Sequence, residues 1–227
     1  AFQQGGDPAP LFQAVDGDDE PQPITGAPTL GLNAQKDNAV MVYFGTGKYF
    51  EDSDNSTSID AQNSFYAVAD SGTRLSGDRD DILHEKELDQ NGDSRTIDNS
   101  EVDWTQSDVN GWFLDFDADP GERVVVKPIL RFDRLIFPTL IPSDIACNFG
   151  GRSWLMELTA VGDRFIGEDL LSENSLEDSL ILGEPTFNIV DINKGKVVVS
   201  RSDGELEEKD ADIPGGALGR QSWRQLR

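Results

Sequence analysis

The chain has one cysteine, Cys147, and one histidine, His84, in 227 residues. A single thiol closes no intrachain disulfide, and with neither His nor Lys beside it to lower its pKa it reads as a buried, inert group. One His and one Cys cannot furnish a tetrahedral zinc set. His84 lies in the polar stretch Asp80-Asp-Ile-Leu-His-Glu-Lys-Glu87, and no Gly-x-Ser-x-Gly elbow occurs, so nucleophilic catalysis has no support and His84 is expected at the surface. No apolar run reaches the roughly 18 residues that a membrane-crossing helix needs. No signal peptide is visible, so any export signal is expected to have been removed or to lie upstream. Basic side chains are scarce too: 19 against 43 acidic ones leave a net charge of −24. Such a surface repels nucleic-acid phosphates and anionic lipid, which excludes nucleic acid and direct membrane insertion and makes cations the natural partners.

What is present is β-forming. Short β-branched and aromatic runs bounded by Gly, Asp and Pro recur, while helical periodicity is scarce. The expected strands are Val40 to Phe44, Ser64 to Ala69, Trp112 to Asp115, Arg123 to Leu130, Leu135 to Thr139, Ser153 to Thr159, Thr186 to Ile192 and Lys196 to Ser200. Leu170 to Leu182 is expected as a short helix or turn.

Aligned by their prolines, the runs form a weak repeat. Unit one holds Ala27-Pro-Thr-Leu30, Val40 to Phe44 and Phe65 to Gly72. Unit two holds Lys127-Pro-Ile-Leu130, Leu135-Ile-Phe137 and Trp154 to Gly162. Unit three holds Glu184-Pro-Thr-Phe187, Lys196 to Ser200 and Asp203 to Lys209. Three antiparallel strands per unit, with a fourth from the next segment, is the make-up of a propeller blade. The fold class expected is therefore all-β: a β-propeller segment of about three antiparallel blades with long acidic loop insertions, with a β-sandwich as the alternative. Residues 1–10, rich in Gly, Pro and Gln, are expected as a linker, and residues 11–227 as the propeller part.

The insertions lie at about 51–63 and 74–108. Residues 51–120 carry 19 Asp or Glu against four Lys or Arg. Within them two loops offer oxygen ligands at alternate positions, as a calcium ion requires. The first is Asp52, Asp54, Ser56 and Asp60, where Thr57 replaces the turn glycine and Gln62 the closing glutamate of an EF-hand loop. The second is Asp89, Asn91 and Asp93 around Gly92. Ca2+ is a candidate at both, and for the first a hairpin tip with Asx-turn residues stays open. Asp16-Gly-Asp-Asp-Glu20 reads as a hairpin turn.

Gly45-Thr-Gly47-Lys48 lacks the spacing of a phosphate loop and fits glycines at a strand end where another backbone approaches closely. The pair Asp115 and Asp117 has the chemistry for glycoside hydrolysis, but among 43 acids a pair carries no information. Trp112 and Trp154, in apolar strands, are expected in the core. Trp104, between Asp103 and Thr105, is expected at the surface.

Five stretches carry a resemblance: Pro10-Leu-Phe-Gln-Ala14 with Gln22-Pro-Ile-Thr25, Met41-Val-Tyr-Phe-Gly-Thr-Gly-Lys-Tyr-Phe50, Gly121-Glu-Arg-Val-Val125 through Leu140-Ile-Pro142, Cys147 to Trp154, and Arg220-Gln-Ser-Trp-Arg-Gln-Leu-Arg227. In this order they resemble the C-terminal part of the PilY family of type IV pilus tip-associated adhesins. The resemblance implies a longer secreted parent whose N-terminal remainder completes the ring. It implies a non-enzymatic role at the pilus tip or cell surface, with minor pilins and a host-cell or surface ligand as partners, in pilus assembly, retraction balance and attachment. The family's calcium loop, of the Asp-x-Asp-x-Asn-x-x-x-Asp kind, precedes the Tyr-Phe-Gly-Thr-Gly-Lys-Tyr motif, so Asp52 to Asp60, which follows that motif, is an independent site hypothesis. Two rivals remain: a quinoprotein-like propeller enzyme and a purely structural pilus component.

Overall fold

The computed structural model describes residues 2–4, 7–55, 62–92, 94–98, 100–143, 150–162, 175–176, 180–191 and 194–212. In chain order the elements are β1 (Phe2–Gln4), β2 (Asp7–Ala9), β3 (Thr29–Asn33), β4 (Ala39–Gly45), β5 (Ser64–Asp70), α1 (Arg79–Ile82), β6 (His84–Lys86), β7 (Leu88–Asn91), β8 (Ser94–Ile97), β9 (Gly111–Asp115), β10 (Ile129–Arg131), β11 (Arg134–Pro138), β12 (Ile141–Pro142), β13 (Gly151–Thr159), β14 (Ser175–Leu176), β15 (Ile181–Asp191), β16 (Lys194–Arg201) and β17 (Leu206–Asp212).

The fold is all-β, and its sheets follow the repeat. Sheet one runs β3-β4-β5-β9-β6, sheet two β10-β11-β13-β12 with β14 also on β13, and sheet three β15-β16-β17. Among the described strands of these three sheets the pairings are antiparallel except β6 on β9. The first strands of the three units come together, because β10 lies against both β3 and β15. That is a series of three blades about a common inner edge, not two facing sheets of a sandwich.

Alternation along the strands decides what each sheet faces. On β11, Leu135 and Phe137 turn to sheet one and Ile136 to sheet three, so the run Leu135-Ile136-Phe137 is buried on both faces. Between sheets one and two, Met41, Tyr43, Phe65, Ala67, Trp112 and Leu114 pack on Leu135, Phe137, Trp154, Met156 and Leu158. The rings of Phe65 and Phe137 stack at 4.0 Å. Between sheets two and three, Ile136 and Leu155 meet Ile181, Val197, Val199 and Ala211. The other face of sheet one buries Phe44, Tyr66, Val68 and Phe113 under Ala14 and Leu83, with Leu11, Phe12, Leu75 and Ile82 at the margin.

Turns are tight where the sheet twist demands it. β10 and β11 are joined by Phe132 and Asp133 alone, both at positive φ (48° and 68°), the conformation of a two-residue hairpin loop. The Phe132 ring meets Phe187 edge-on at 6.3 Å and so ties sheet two to sheet three, an aromatic contact that offsets the backbone strain. Asp16-Gly-Asp-Asp-Glu20 is a turn as expected: Asp16 Oδ1 accepts from the Asp18 and Glu20 amides inside the Val15–Pro21 bridge.

Several expectations are corrected. Residues 74–108 are not one irregular loop; they hold α1, β6 and the β7–β8 hairpin, and Val102 and Trp104 return to the core. Trp104 is not at the surface: it is 5% exposed and its indole N–H donates to the Val161 carbonyl. The sequence misleads there because its acidic neighbours point away while the ring turns in. The strand expected over Arg123 to Leu130 is split, with Arg123 bridging Leu140 and pairing resuming only at Ile129, since Pro128 has no N–H to give a ladder. In the stretch expected as a helix or turn, the described residues Ser175–Leu176 and Ile181–Leu182 are strand, while Leu170 lies outside the described residues. Residues 2–4 pair with 7–9 in the segment expected as a linker.

Gly45 shows how closely the segments approach. A Cβ there would stand 2.3 Å from Val124 Cβ, with no side-chain end free to swing aside. Gly45→Ala should lower the unfolding free energy by about 2 kcal/mol, the usual cost of overpacking. Val124→Ala in that background should return part of it, as urea denaturation of the four-variant cycle would measure.

Candidate functional site

The strand-end glycines set the geometry of the first acidic loop. Thr46 is pinned from two sides, its N–H donating to Ser64 O (2.9 Å) and its carbonyl accepting from Val124 N–H (2.9 Å). Gly47, at φ +132°, passes so close to Arg123 that a Cβ would lie 2.4 Å from that residue's own Cβ. The chain then turns through Lys48, Tyr49 and Phe50 into one turn of 3-10 helix at Asp52–Asn55.

Asp54 closes this loop. It is 5% exposed, and its Oδ2 accepts from the backbone N–H groups of Phe50 (2.9 Å) and Glu51 (3.0 Å). Its Oδ1 faces the Lys48 ammonium at 3.3 Å, which also bonds Glu51 Oε2 at 3.0 Å. The Phe50 amide first, then the Glu51 amide and Lys48, hold the Asp54 carboxyl at about 2, below its ordinary 3.8. Tyr49 O–H donates to Asn55 Oδ1 (2.8 Å), and Arg123 donates to the Lys48 carbonyl (2.8 Å). Clamped in this way, the loop presents Phe50 with 79% of its surface exposed.

Of the first proposed ligand set, then, Asp52 is exposed on the turn, Asp54 has both oxygens engaged by the protein, and Ser56 and Asp60 lie outside the described residues. Calcium at Asp54 would have to displace Lys48.

The second set sits on the β7–β8 hairpin. Asp89 and Asn91 are exposed on β7, opposite Thr96 and Ser94, Gly92 opens the loop at φ +63°, and Asp93 lies outside the described residues. Among the described residues no group of three or more His, Cys, Asp or Glu is arranged to hold a metal ion.

Beneath that hairpin is a charged knot that sequence reasoning missed. The Arg95 side chain is fully buried and donates to Glu122 Oε1 (2.6 Å) and Oε2 (2.7 Å), Asp119 Oδ2 (3.0 Å) and Gln90 Oε1 (2.8 Å). Its guanidinium lies 4.1 Å from the Trp154 ring centre, and the Trp154 N–H donates to the same Asp119 oxygen (3.1 Å). Arg152 reaches the other oxygen of Asp119. Arg79 likewise forks onto Asp115 at 3.0 and 2.8 Å, so both oxygens of Asp115 are engaged by a cation. Lys86, 2% exposed, pairs with Asp98 (3.3 Å) and with the Ser100 carbonyl. The signal available was scarcity: four basic residues in a stretch of 19 acids have abundant partners. His84 is half-buried rather than superficial, its Nε2 2.9 Å from the Ser100 hydroxyl.

Depression of the Asp54 pKa makes its contribution to stability complete above the unfolded value of 3.8 and lost as pH falls through about 2. Asp54→Asn should therefore be less stable than the wild type at neutral pH by a constant margin. That margin should narrow between 3.8 and about 2, as urea denaturation at stepped pH would read out.

Comparison with known proteins places this arrangement. Residues 2–100 match the family model of the PilY1 β-propeller domain. A type IV pilus biogenesis factor PilY1 homolog of Xylella fastidiosa is 29% identical over 170 residues, 70% of this chain and 11% of its own. The type IV pilus biogenesis factor PilY1 of Pseudomonas aeruginosa is 27% identical over 228 residues, 91% of this chain and 18% of its own. The chain thus spans between about a tenth and a fifth of the curated relatives it matches. The crystal structure of the Pseudomonas aeruginosa PilY1 C-terminal domain has the same fold, with a TM-score of 0.71 at 22% identity, over 93% of this chain and 48% of that one. The motif resemblance and the all-β expectation are both borne out.

Proposed function

We propose, on the premise that this chain is a PilY-type C-terminal propeller region, that it acts in type IV pilus biogenesis at the cell surface as a non-enzymatic docking module. The observation that carries the reading is a bare apolar strip on the inner part of sheet one. Leu30 (63% exposed) pairs with Val42, and Leu32 (69%) with Val40 (40%), on the face whose outer part the chain covers with its own Ala14 and Leu83. A sheet left half-covered invites another sheet of the same kind. The occupant we assign is a further blade from the N-terminal remainder of a longer parent, which the short coverage of the relatives supports.

Contacts with other pilus components, minor pilins among them, and with a host-cell or surface ligand then fall to the loops. Phe50 on its clamped turn is an aromatic anchor of the sort that dominates small interfaces. A non-catalytic role is supported by the disposition of the acids and bases described, since Arg79, Arg95, Lys86 and Lys48 are each held by carboxylates.

Leu32→Glu tests the docking surface. In the chain alone the change is a surface substitution and should move stability by no more than about 0.5 kcal/mol. In the full parent it should lower the melting temperature and reduce surface pili. A parent with unchanged melting and normal piliation would refute the assignment.

Calcium regulation is the second reading, favoured by the alternate spacing of Asp52, Asp54, Ser56 and Asp60 and of Asp89, Asn91 and Asp93. Ion binding would order the acidic insertions into one conformation that a partner recognises. Calorimetric titration of the calcium-stripped chain at physiological salt should then give saturable heat with Ca2+ and not with Mg2+, and Asp54→Ala should remove the first site's share of it while leaving the fold intact. Absence of saturable heat would leave the acids as a solvated surface.

A further inference from the structure

The segment Asp89-Gln-Asn91-Gly-Asp93, singled out for its oxygen spacing, also contains an Asn-Gly pair, and the chain has a second at Asn110-Gly111. The two share their chemistry and differ in surroundings. Asn91 is exposed at the end of β7, and Gly92 is the first residue of the two-residue loop that leads back to Ser94. Gly92 lies outside the paired register, and a Cβ added to it would meet nothing within 4 Å. Its amide nitrogen is therefore not committed to the hairpin ladder, and the space around it is open.

Asn110-Gly111 is held everywhere. The Asn110 amide N–H donates to Ile82 O (2.8 Å), its carbonyl accepts from Ala69 N–H (2.7 Å), and its side-chain NH2 donates to Asp108 O (2.7 Å). Gly111 is buried and paired with Val68 in β9, and a Cβ there would lie 2.0 Å from the Ala67 carbonyl oxygen. Ring closure would have to break the Asn110 side-chain bond and turn a crowded, strand-paired backbone, and there is no room for it.

We propose that Asn91 is a site of spontaneous deamidation and that the fold protects Asn110 from the same reaction. The backbone nitrogen of Gly92 gives up its proton and attacks Asn91 Cγ. A C–N bond closes a succinimide ring while the side-chain nitrogen leaves as ammonia, carrying the proton. Water then adds across either ring carbonyl and opens it to aspartate or isoaspartate. No oxidant or cofactor is needed, and glycine, lacking a Cβ, offers least hindrance to the ring. Asp89 and residue 91 share one side of β7, so the product places two carboxylates side by side where one stood. Isoaspartate would also lengthen the backbone at the position that pairs with Ser94.

The test is ageing of the intact chain in mildly alkaline buffer at 37 °C, followed by ion exchange and peptide mass mapping, with isoaspartyl methyltransferase labelling to find isoaspartate. An acidic variant should accumulate whose amide-to-acid mass gain lies at Asn91, as an aspartate and isoaspartate mixture, with Asn110 unchanged. Asn91→Gln should abolish that variant. In denaturing urea both pairs should react at similar rates, since the discrimination is a property of the fold. Conversion at Asn110 as fast as at Asn91 in the native chain, or no conversion at Asn91 when it proceeds in urea, would overturn the proposal.

Discussion

Everything in this molecule depends on sheet two being apolar on both faces. Leu135 and Phe137 point one way and Ile136 the other, so neither neighbour can be removed without exposing a core. A two-layer fold satisfies a sheet with one greasy face; a sheet with two must sit in the middle of a series. The stacked rings of Phe65 and Phe137 are the centre of the first seam, and the Phe132–Phe187 contact closes the margin of the second. Serial stacking also leaves the ends of the arc unfinished, which is why the bare strip of Leu30, Leu32 and Val40 is read as a joint rather than as incidental exposure.

Charge is the second constraint. With a net −24 the chain must keep its acids apart or neutralise them, and it does so with the few cations it has. Arg95, Arg79 and Lys86 are taken inward, each among carboxylates or carbonyls. Burying an ion pair costs desolvation that its attraction barely offsets, yet removing one partner alone typically costs about 3–5 kcal/mol. Once buried, Arg95 and Arg79 therefore tie the acidic insertion to Glu122, Asp119 and Asp115. The Asp54 loop follows the same logic, with backbone amides and Lys48 supplying the positive partners.

This organisation suits a protein that works by being bound. Arg79, Arg95, Lys86 and Lys48 are each held by carboxylates, exposed apolar groups lie on a sheet face and at a loop tip, and the surface field disfavours anionic partners. The hairpin carrying Asn91 lies above the Arg95 knot, so chemical ageing at its tip would add charge to a solvent-facing strand while the buried pairing below is retained.

The repeat was legible in the sequence because each blade carries a proline just before or within its first strand, a buried second strand and a Gly or Asp turn, and these are local features. Val40 to Phe44, Leu135 to Phe137 and Val197 to Val199 announce themselves by composition alone, and Gly45 and Gly47 by their place at a strand end. The acidic insertion was not legible in this way. Its order comes from contacts distant in sequence: Trp104 onto Val161, Arg95 onto Glu122, Lys86 onto Ser100 and Asp98. A carboxylate spaced for calcium and one spaced for a backbone cap look the same in sequence, and only the fold showed that Lys48 and two amides stand at Asp54. By itself the sequence determined the strand pattern, the excess of acid and the family likeness, since those depend on nearest neighbours and composition. The tertiary structure decided which acids are paired, which tryptophan is buried and which Asn-Gly is free to react, because burial and reach are set by segments that the chain brings together only on folding.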